Sequence, residues 1–464
     1  MSRVLLIGLD CLGAELLEPE GADLMPRLAG LAASGMSGAL ESTLPPITVP
    51  AWTSMLTGRD PGELGVYGFR NRRSFRYGDL IRATSTAVRY PRLWDRMTAA
   101  GRPSIVLGVP QTSPPPHIEG ALVCGFEGAL DANGYAWPPE LAAEVERVVG
   151  EYEFDVPEYR NTPLESVRET AHRMTGKRFR LMRHLLGSRD WDFAMVHEIG
   201  ADRMHHSFWS HHDPTHPRHD PSSPHGSAIR DYYRYLDTEV GSLLDLVGSD
   251  TSVLVASDHG AKAMHGGLCV NELLREAGLL VLREEPSKPG PLEPTMVDWT
   301  ATRAWAEGGY YARVFFNVKG REPNGIVEPA EIAKLGAQID DLLTTVALGD
   351  GRVLHNRVCT PADLYRRVRG IPPDLLVFFD SEQWRSIGSV GHHSTWVSTN
   401  DTGLDEANHA RDGLYILRGG QVRPGVRRRA SILDVTPTLL DLLGLAEDPG
   451  LSGQNLMRHD EVPA

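Results

Sequence analysis

Residues 253–260 read VLVASDHG, an apolar run that ends abruptly in Ser257, Asp258, His259 and Gly260. A run this short and this apolar predicts a strand buried on both faces, as in a parallel sheet, and Gly260 permits a tight turn at its end. The same pattern opens the chain as VLLIGLD (4–10), where Asp10 follows the apolar run directly. Working outward, comparable runs predict strands at Val4–Leu9, Ser104–Val109, Phe193–Glu198, Ser252–Ala256 and Gly413–Leu417. Helical segments are predicted between them at Pro163–Leu186 and Asp231–Val247, the second with Tyr232, Leu236, Val240, Leu243 and Leu244 at helical spacing. Thr162 is the expected N-cap of the first, followed by Pro163 and, three residues after the cap, Glu165. The alternation predicts an α/β fold with a mostly parallel sheet flanked by helices. In such folds, ligands bind in the loops beyond the strand ends.

The chain has 464 residues, which a large open sheet with an insertion can absorb. Its net charge of −14 argues against a nucleic acid polymer as partner. An anionic substrate would need local positive charge, which bound metal supplies. Cys11, Cys124, Cys269 and Cys359 are scattered without paired spacing, which points to a reducing compartment. The apolar stretch in MSRVLLIGLD is too short for a signal-peptide core and is closed by an acid, and no later stretch is long enough to span a bilayer. The expectation is a cytoplasmic protein with no membrane partner. Between Gly266 and Gln383, Pro/Gly-rich stretches such as EEPSKPGPLEPT (284–295) predict an inserted cap or lid. That leaves 1–265 and 384–464 as the core. The segment HHSFWSHHDPTHPRHDPSSPHG (205–226) holds seven histidines and four prolines, so regular helix should end after its first turns and most of these histidines should be loop surface.

Four polar clusters next to the strands offer the ligand types that divalent ions take. Asp10 alone reads as a loop cap, whereas the adjacent pair Asp258 and His259 is more specific. Asp202 lies just past the strand FAMVHEI, with His206 four positions later on the same helical face and His205 as the rival ligand. His409 precedes the last strand in DEANHARDGLYIL; His392 and His393 in VGHHSTW are the alternative, and Asp401, Asp405 and Asn408 are candidate supporting groups. In STLPPITVPAWTSMLTG (42–58) an extended approach gives way after Pro50 to a short helix over Ala51–Leu56, which puts Thr48 near a helix N-terminus. Unpaired N–H groups there would favour both an alkoxide and a phosphate; the competing reading is a helix cap.

In this order, Asp10, a Thr in PPITVPAWTSMLTG, Asp202 with His206, SDHG and a C-terminal histidine, the chain resembles the type I phosphodiesterase/nucleotide pyrophosphatase group of the alkaline phosphatase superfamily. The resemblance extends through VPQTSPPPHIEG (109–120), FWSHHDPTHP (208–217), VDWTATRAWAEG (297–308), VFFNVKGREPNGIV (314–327) and DVTPTLLDLLGL (434–445). It implies an alkaline phosphatase-like core in which Asp10, Thr48, Asp258 and His259 hold one divalent ion and Asp202, His206 and His409 a second, with zinc expected and manganese the alternative. It further implies Thr48 as nucleophile, a phospho-threonine intermediate, and a small phosphate ester or nucleotide-like substrate. The sequence departs from the family in RDPGELGVYGF (59–69), where Leu64 replaces a histidine and the place of a phosphoryl-binding asparagine falls near Phe69. Asn71, with Arg70 or Arg72, is the candidate replacement, a solvated turn being the other reading. A sulfatase would need a Cys or Ser in a Cys-x-Pro-x-Arg-like setting, which none of the four cysteines has. The motif around Thr48 argues against a phosphomutase, and the complete ligand set argues against a non-catalytic binding module. Phosphomonoester or phosphonate hydrolysis would fit the same core.

Overall fold

In the strand Arg3–Leu9 every residue after Arg3 is buried, and successive side chains enter two different cores. Leu5, Ile7 and Leu9 pack on the side of the helices Leu164–Ser188 and Ala228–Val247, while Val4 and Leu6 pack on the side of Thr48–Thr57 and Val435–Leu442. Burial on both faces is why the run lacks polar alternation. The computed structural model describes residues 3–126, 134–420 and 422–461. The expected core limits at residues 1 and 464 lie outside the described residues.

Arg3–Leu9 is central in a ten-stranded sheet. Thr251–Ala256, Arg3–Leu9, Phe193–Glu198, Ser104–Val109 and Gly120–Cys124 are neighbours in that order and run parallel. On one flank Asp412–Arg418 runs antiparallel to Thr251–Ala256, and Met36–Glu41 antiparallel to Asp412–Arg418, so Met36–Glu41 points the same way as the central strands. All five predicted strands are present, with bounds shifted by one residue at most. This is the α/β fold with a mostly parallel, helix-flanked sheet that the pattern predicts.

The differences are local. Met36–Glu41 escapes the pattern because MSGALE carries few β-formers; a Cβ on Gly38 would stand 1.9 Å from the Arg428 carbonyl oxygen, so close backbone approach demands the glycine. The short helix starts at Thr48, three residues before its expected start. Thr162 is not a cap: its hydroxyl donates to the carbonyls of Pro157 and Glu158, and Pro163 occupies the cap position of Leu164–Ser188 without a side-chain bond. The next long helix begins at Ala228 instead of Asp231 and runs to Val247.

A third apolar core is built almost wholly from residues 268–384. Its sheet orders Ala304–Glu307, Ala312–Phe316, Leu375–Phe378 and Arg357–Cys359, all antiparallel. The strand Gly266–Cys269 pairs with Trp384–Ile387, so this segment leaves and re-enters the chain at one place. Among the described residues no helix is long and apolar enough to cross a membrane.

Candidate active site

The C-terminal ends of three adjacent parallel strands deliver most of the polar residues. Asp10 follows Arg3–Leu9, Asp258 and His259 follow Thr251–Ala256, and Phe193–Glu198 leads into the helix Gly200–His212, which carries Asp202 and His206 one turn apart. Met36–Glu41 points to the same edge and is followed by the helix that Thr48 begins. His409 comes from Ala407–Ala410, which pairs antiparallel with Gly260–Ala263, directly after His259. The donor atoms gather in two buried groups, Asp10 with Asp258 and His259, and Asp202 with His206 and His409.

Each carboxylate has one oxygen tied to the protein and the other buried without a hydrogen-bond partner. Asp10 Oδ2 contacts Trp52 Nε1 at 2.9 Å and His197 Nε2 at 2.8 Å; Asp258 Oδ1 accepts from Cys11 N at 3.2 Å; Asp202 Oδ2 accepts from Arg203. The orphans are Asp10 Oδ1, Asp258 Oδ2 and Asp202 Oδ1. The imidazoles mirror this arrangement. Nδ1 faces Asp405 Oδ1 at 2.7 Å in His206, the Pro46 carbonyl at 2.7 Å in His409 and the Gly260 carbonyl at 3.2 Å in His259. In the neutral ring with its proton on Nδ1, each Nε2 would present a lone pair to the centre. His259 Nε2 lies 3.1 Å from Asp258 Oδ2 and His206 Nε2 lies 3.2 Å from Asp202 Oδ1. Orphaned acceptors crowding together in a dry interior fit divalent cations between them.

The electrostatics agree. Burial, reinforced by Asp202, raises Asp10 to about 7, and burial with Asp10 raises Asp258 to about 6. For His259 burial opposes the charged form, yet Asp258 and the other acids outweigh it and raise the ring to about 9. Burial also opposes the charge on Asp202, but His206 and Arg203 win and hold it well below the usual carboxylate range. Burial, with Arg178 adding, lowers His197 to about 4. A neutral His197 ring that donates Nδ1–H to the Gly108 carbonyl can then accept at Nε2 from a protonated Asp10.

Thr48 is the first residue of its helix; Ile47 is the cap residue and makes no side-chain bond. The Thr48 side chain is buried and its Oγ1 lies 3.5 Å from His259 Nε2, so it faces the donor groups and does not cap the helix. The first backbone bond of the helix runs from Ala51 N to the Ile47 carbonyl, which leaves the N–H groups of Thr48 and Val49 at its positive end.

A family profile described as type I phosphodiesterase / nucleotide pyrophosphatase matches residues 4–409, from the first central strand to His409. The chain belongs to that family. It is therefore a hydrolase of phosphoric esters, and the family's metal dependence agrees with the two donor groups. Human ectonucleotide pyrophosphatase / phosphodiesterase 5 shares the fold at a TM-score of 0.57 and 12% identity, over 97% of this chain and 96% of that one. A search of curated proteins gives no match.

Other sequence-selected residues have different duties in this hydrolase. His205 bonds Tyr233 through Nε2 at 2.6 Å and belongs to neither donor group. His392 contacts Ser389 Oγ, and His393 is an exposed residue beside Glu285. Asp405 orients His206, whereas Asp401 accepts from Ser389 and Asn408 donates to the carbonyls of Glu382 and Trp384. Asn71, the expected phosphoryl-binding residue, braces a turn: Oδ1 accepts from Tyr67 N at 2.7 Å and Nδ2 donates to the Gly68 carbonyl at 3.0 Å. In the histidine-rich segment regular helix extends to His212, and His216 is buried against the Glu406 carbonyl instead of on the surface.

Sequence reasoning missed Trp52, His197 and Tyr310. The Tyr310 hydroxyl is 3.2 Å from His206 Nε2, and its ring stacks on His409 with centroids 3.6 Å apart. A histidine and a glutamate inside the buried strand FAMVHE were the available signal for His197. Tyr310 had none, being brought in by the separate 268–384 core. Beside it a cavity of about 360 Å3 is lined by Ile47, Phe69, Arg160, Arg203 and Arg385, among others.

Proposed function

We propose that this chain is a two-metal phosphodiesterase, nucleotide pyrophosphatase-like in substrate, with Thr48 as covalent nucleophile. The observation that carries the reading is that Thr48 Oγ1, at the head of its helix, lies 3.5 Å from His259 Nε2 in the Asp10 donor group. Asp10, Asp258, His259 and Thr48 would hold one ion, and Asp202, His206 and His409 the other. The mixed imidazole and carboxylate donors suit zinc first and manganese second. When bound, such ions supply Lewis acidity and neutralise phosphoryl charge. The Thr48 oxygen attacks phosphorus in line as its hydroxyl proton passes to water, the bond to the departing oxygen breaks, and that oxygen takes a proton from water as it leaves. N–H groups at the helix head face the phosphoryl oxygens. Water then hydrolyses phospho-Thr48 and restores the hydroxyl.

In the same reading residues 266–383 form a cap on a core of 1–265 and 384–464. Its own apolar cluster and the pairing of Gly266–Cys269 with Trp384–Ile387 support that division. A cytoplasmic setting fits four free, buried cysteines.

The test is Thr48→Ala, which should stay folded and metal-loaded but lose roughly 10^3-fold or more in turnover. Thr48→Ser should retain part of it. Thr53→Ala and Thr57→Ala are controls, because those hydroxyls donate to the carbonyls of Val49 and Thr53 within the helix. Substantial turnover by fully metallated Thr48→Ala would show that water attacks phosphorus directly.

A further inference from the structure

The 360 Å3 cavity beside the donor groups shares a wall with a second, larger cavity of about 610 Å3. Arg70, Gly308, Gly309, Arg313 and Arg385 line both. Three arginines at one passage run against the −14 charge of the chain. Their partners do not neutralise them. Arg385 pairs with Asp405, but that carboxylate also takes Arg160 Nε at 2.8 Å and the Nδ1 side of His206 at 2.7 Å. The Arg385 side chain is only 5% exposed, and its Nε is buried without a partner. Arg313 pairs with Glu307 at 2.9 Å and donates to the Arg70 carbonyl at 2.7 Å. The Arg70 guanidinium has no hydrogen-bond or ion-pair partner among the described residues.

At the passage itself Arg70, Arg160, Arg313 and Arg385 share two carboxylates, Asp405 and Glu307, while farther along the walls Arg203 is paired with Asp155 in the smaller cavity and the acids Glu293 and Asp401 line the larger one. A purely structural role explains Arg313, which braces its cross-strand neighbour Glu307, and part of Arg385. It does not explain Arg70 or the idle Nε. Arg70 and Arg313 touch no donor residue, so this charge stands one step out from the phosphoryl group undergoing transfer. Beyond the passage the larger cavity is walled by Tyr77, Trp299, Trp305 and Pro291, which suits the body of a substituent.

We propose that the substituent retained on phosphorus carries its own anion, a carboxylate or a second phosphate, held by Arg70 and Arg385 with Arg313 at this passage. The inference rests on the hydrolase reading above. Guanidinium groups bind either anion through charge-assisted, forked hydrogen bonds.

The test uses the zinc-loaded full chain and 4-nitrophenyl phosphodiesters whose second substituent is ethyl, 2-carboxyethyl or 2-phosphonoethyl, with the 4-nitrophenyl monoester alongside. One anionic ester should exceed the ethyl ester in kcat/KM by roughly tenfold or more, a ratio that falls with added salt. Which of the two leads distinguishes carboxylate from phosphate. Arg70→Glu should abolish the ratio and Arg70→Lys should keep part of it; Arg70 is exposed, so both should fold. Equal rates for charged and neutral diesters, or a ratio unmoved by Arg70→Glu, would overturn the proposal while leaving the hydrolase reading intact. So would a monoester preference that Arg70→Glu removes, because the charge would then serve the transferred phosphoryl group. No turnover of any ester would sink both readings.

Discussion

Asp405 shows how the protein aims an imidazole at one of the two donor groups. Its carboxylate is clasped by Arg160 and Arg385 and faces His206 Nδ1, which leaves His206 Nε2 directed at Asp202 Oδ1. Burial opposes its charge, but Arg385 and His206 hold the carboxyl far below its usual range, so it remains an acceptor at any working pH. Asp405→Asn should weaken metal binding at the Asp202 group by roughly 10–100-fold and spare the Asp10 group. Metal analysis at limiting zinc should then fall from near two ions per chain toward one, while His212→Ala leaves it unchanged. Equal loss from both variants would mean that His212, at the end of the helix, also holds metal. At this scale the sequence was informative where a polar residue directly follows an apolar strand, as with Asp10 and the Asp258–His259 pair. It was silent on Trp52 and offered for His197 only a polar residue inside a buried strand, because their bonds to Asp10 span 42 and 187 residues. Gly8 belongs to the same arrangement: a Cβ there would stand 2.6 Å from the Trp52 ring that donates to Asp10. It read in the sequence only as part of a strand.

Among the elements, the central strands were legible because burial on both faces leaves an unbroken apolar run, and the site followed from their order in the sheet. Edge strands and helix starts were less so, since Gly38 and the Thr48 turn answer to backbone contacts made elsewhere in the chain. The connection of the hairpin Ala304–Glu307 and Ala312–Phe316 carries Tyr310 onto His409. Tyr310→Ala should alter the ranking of ester substrates by changing KM if the cavity it lines takes the substrate, as the proposed function implies. Tyr310→Phe keeps the stack and should lie nearer the wild type. Both should bind close to two ions per chain. Loss of metal from Tyr310→Ala would instead make the hairpin part of the metal-holding core.

For the molecule as a whole, the buried acids and imidazoles couple stability to pH in a way that depends on metal. His259 is raised from 6.5 to about 9, so between those values the folded chain holds a proton that the unfolded chain has released. Stability from this group is complete below pH 6.5 and is lost as pH rises toward 9. Asp10, raised to about 7, acts in the same direction at the lower end of the window. His197, His205 and His409 are all lowered from 6.5, so their opposing contribution is confined to lower pH. On the proposed two-metal reading a divalent ion would take the place of the His259 and Asp10 protons, so the metal-loaded protein should lack this slope. Scanning calorimetry between pH 6.5 and 8.5 should therefore find that Tm of the chelator-treated protein falls with pH, while that with excess zinc holds steady. The gap should widen by a few degrees, the order set by a shift worth a few kcal/mol at most. Removing His259 as His259→Gln should flatten the metal-free curve, since a side chain without a titrating proton has no linkage to lose. A gap that stays constant or narrows toward pH 8.5 would mean that bound metal does not displace these protons, and the pairing of His259 with a cation would have to be abandoned.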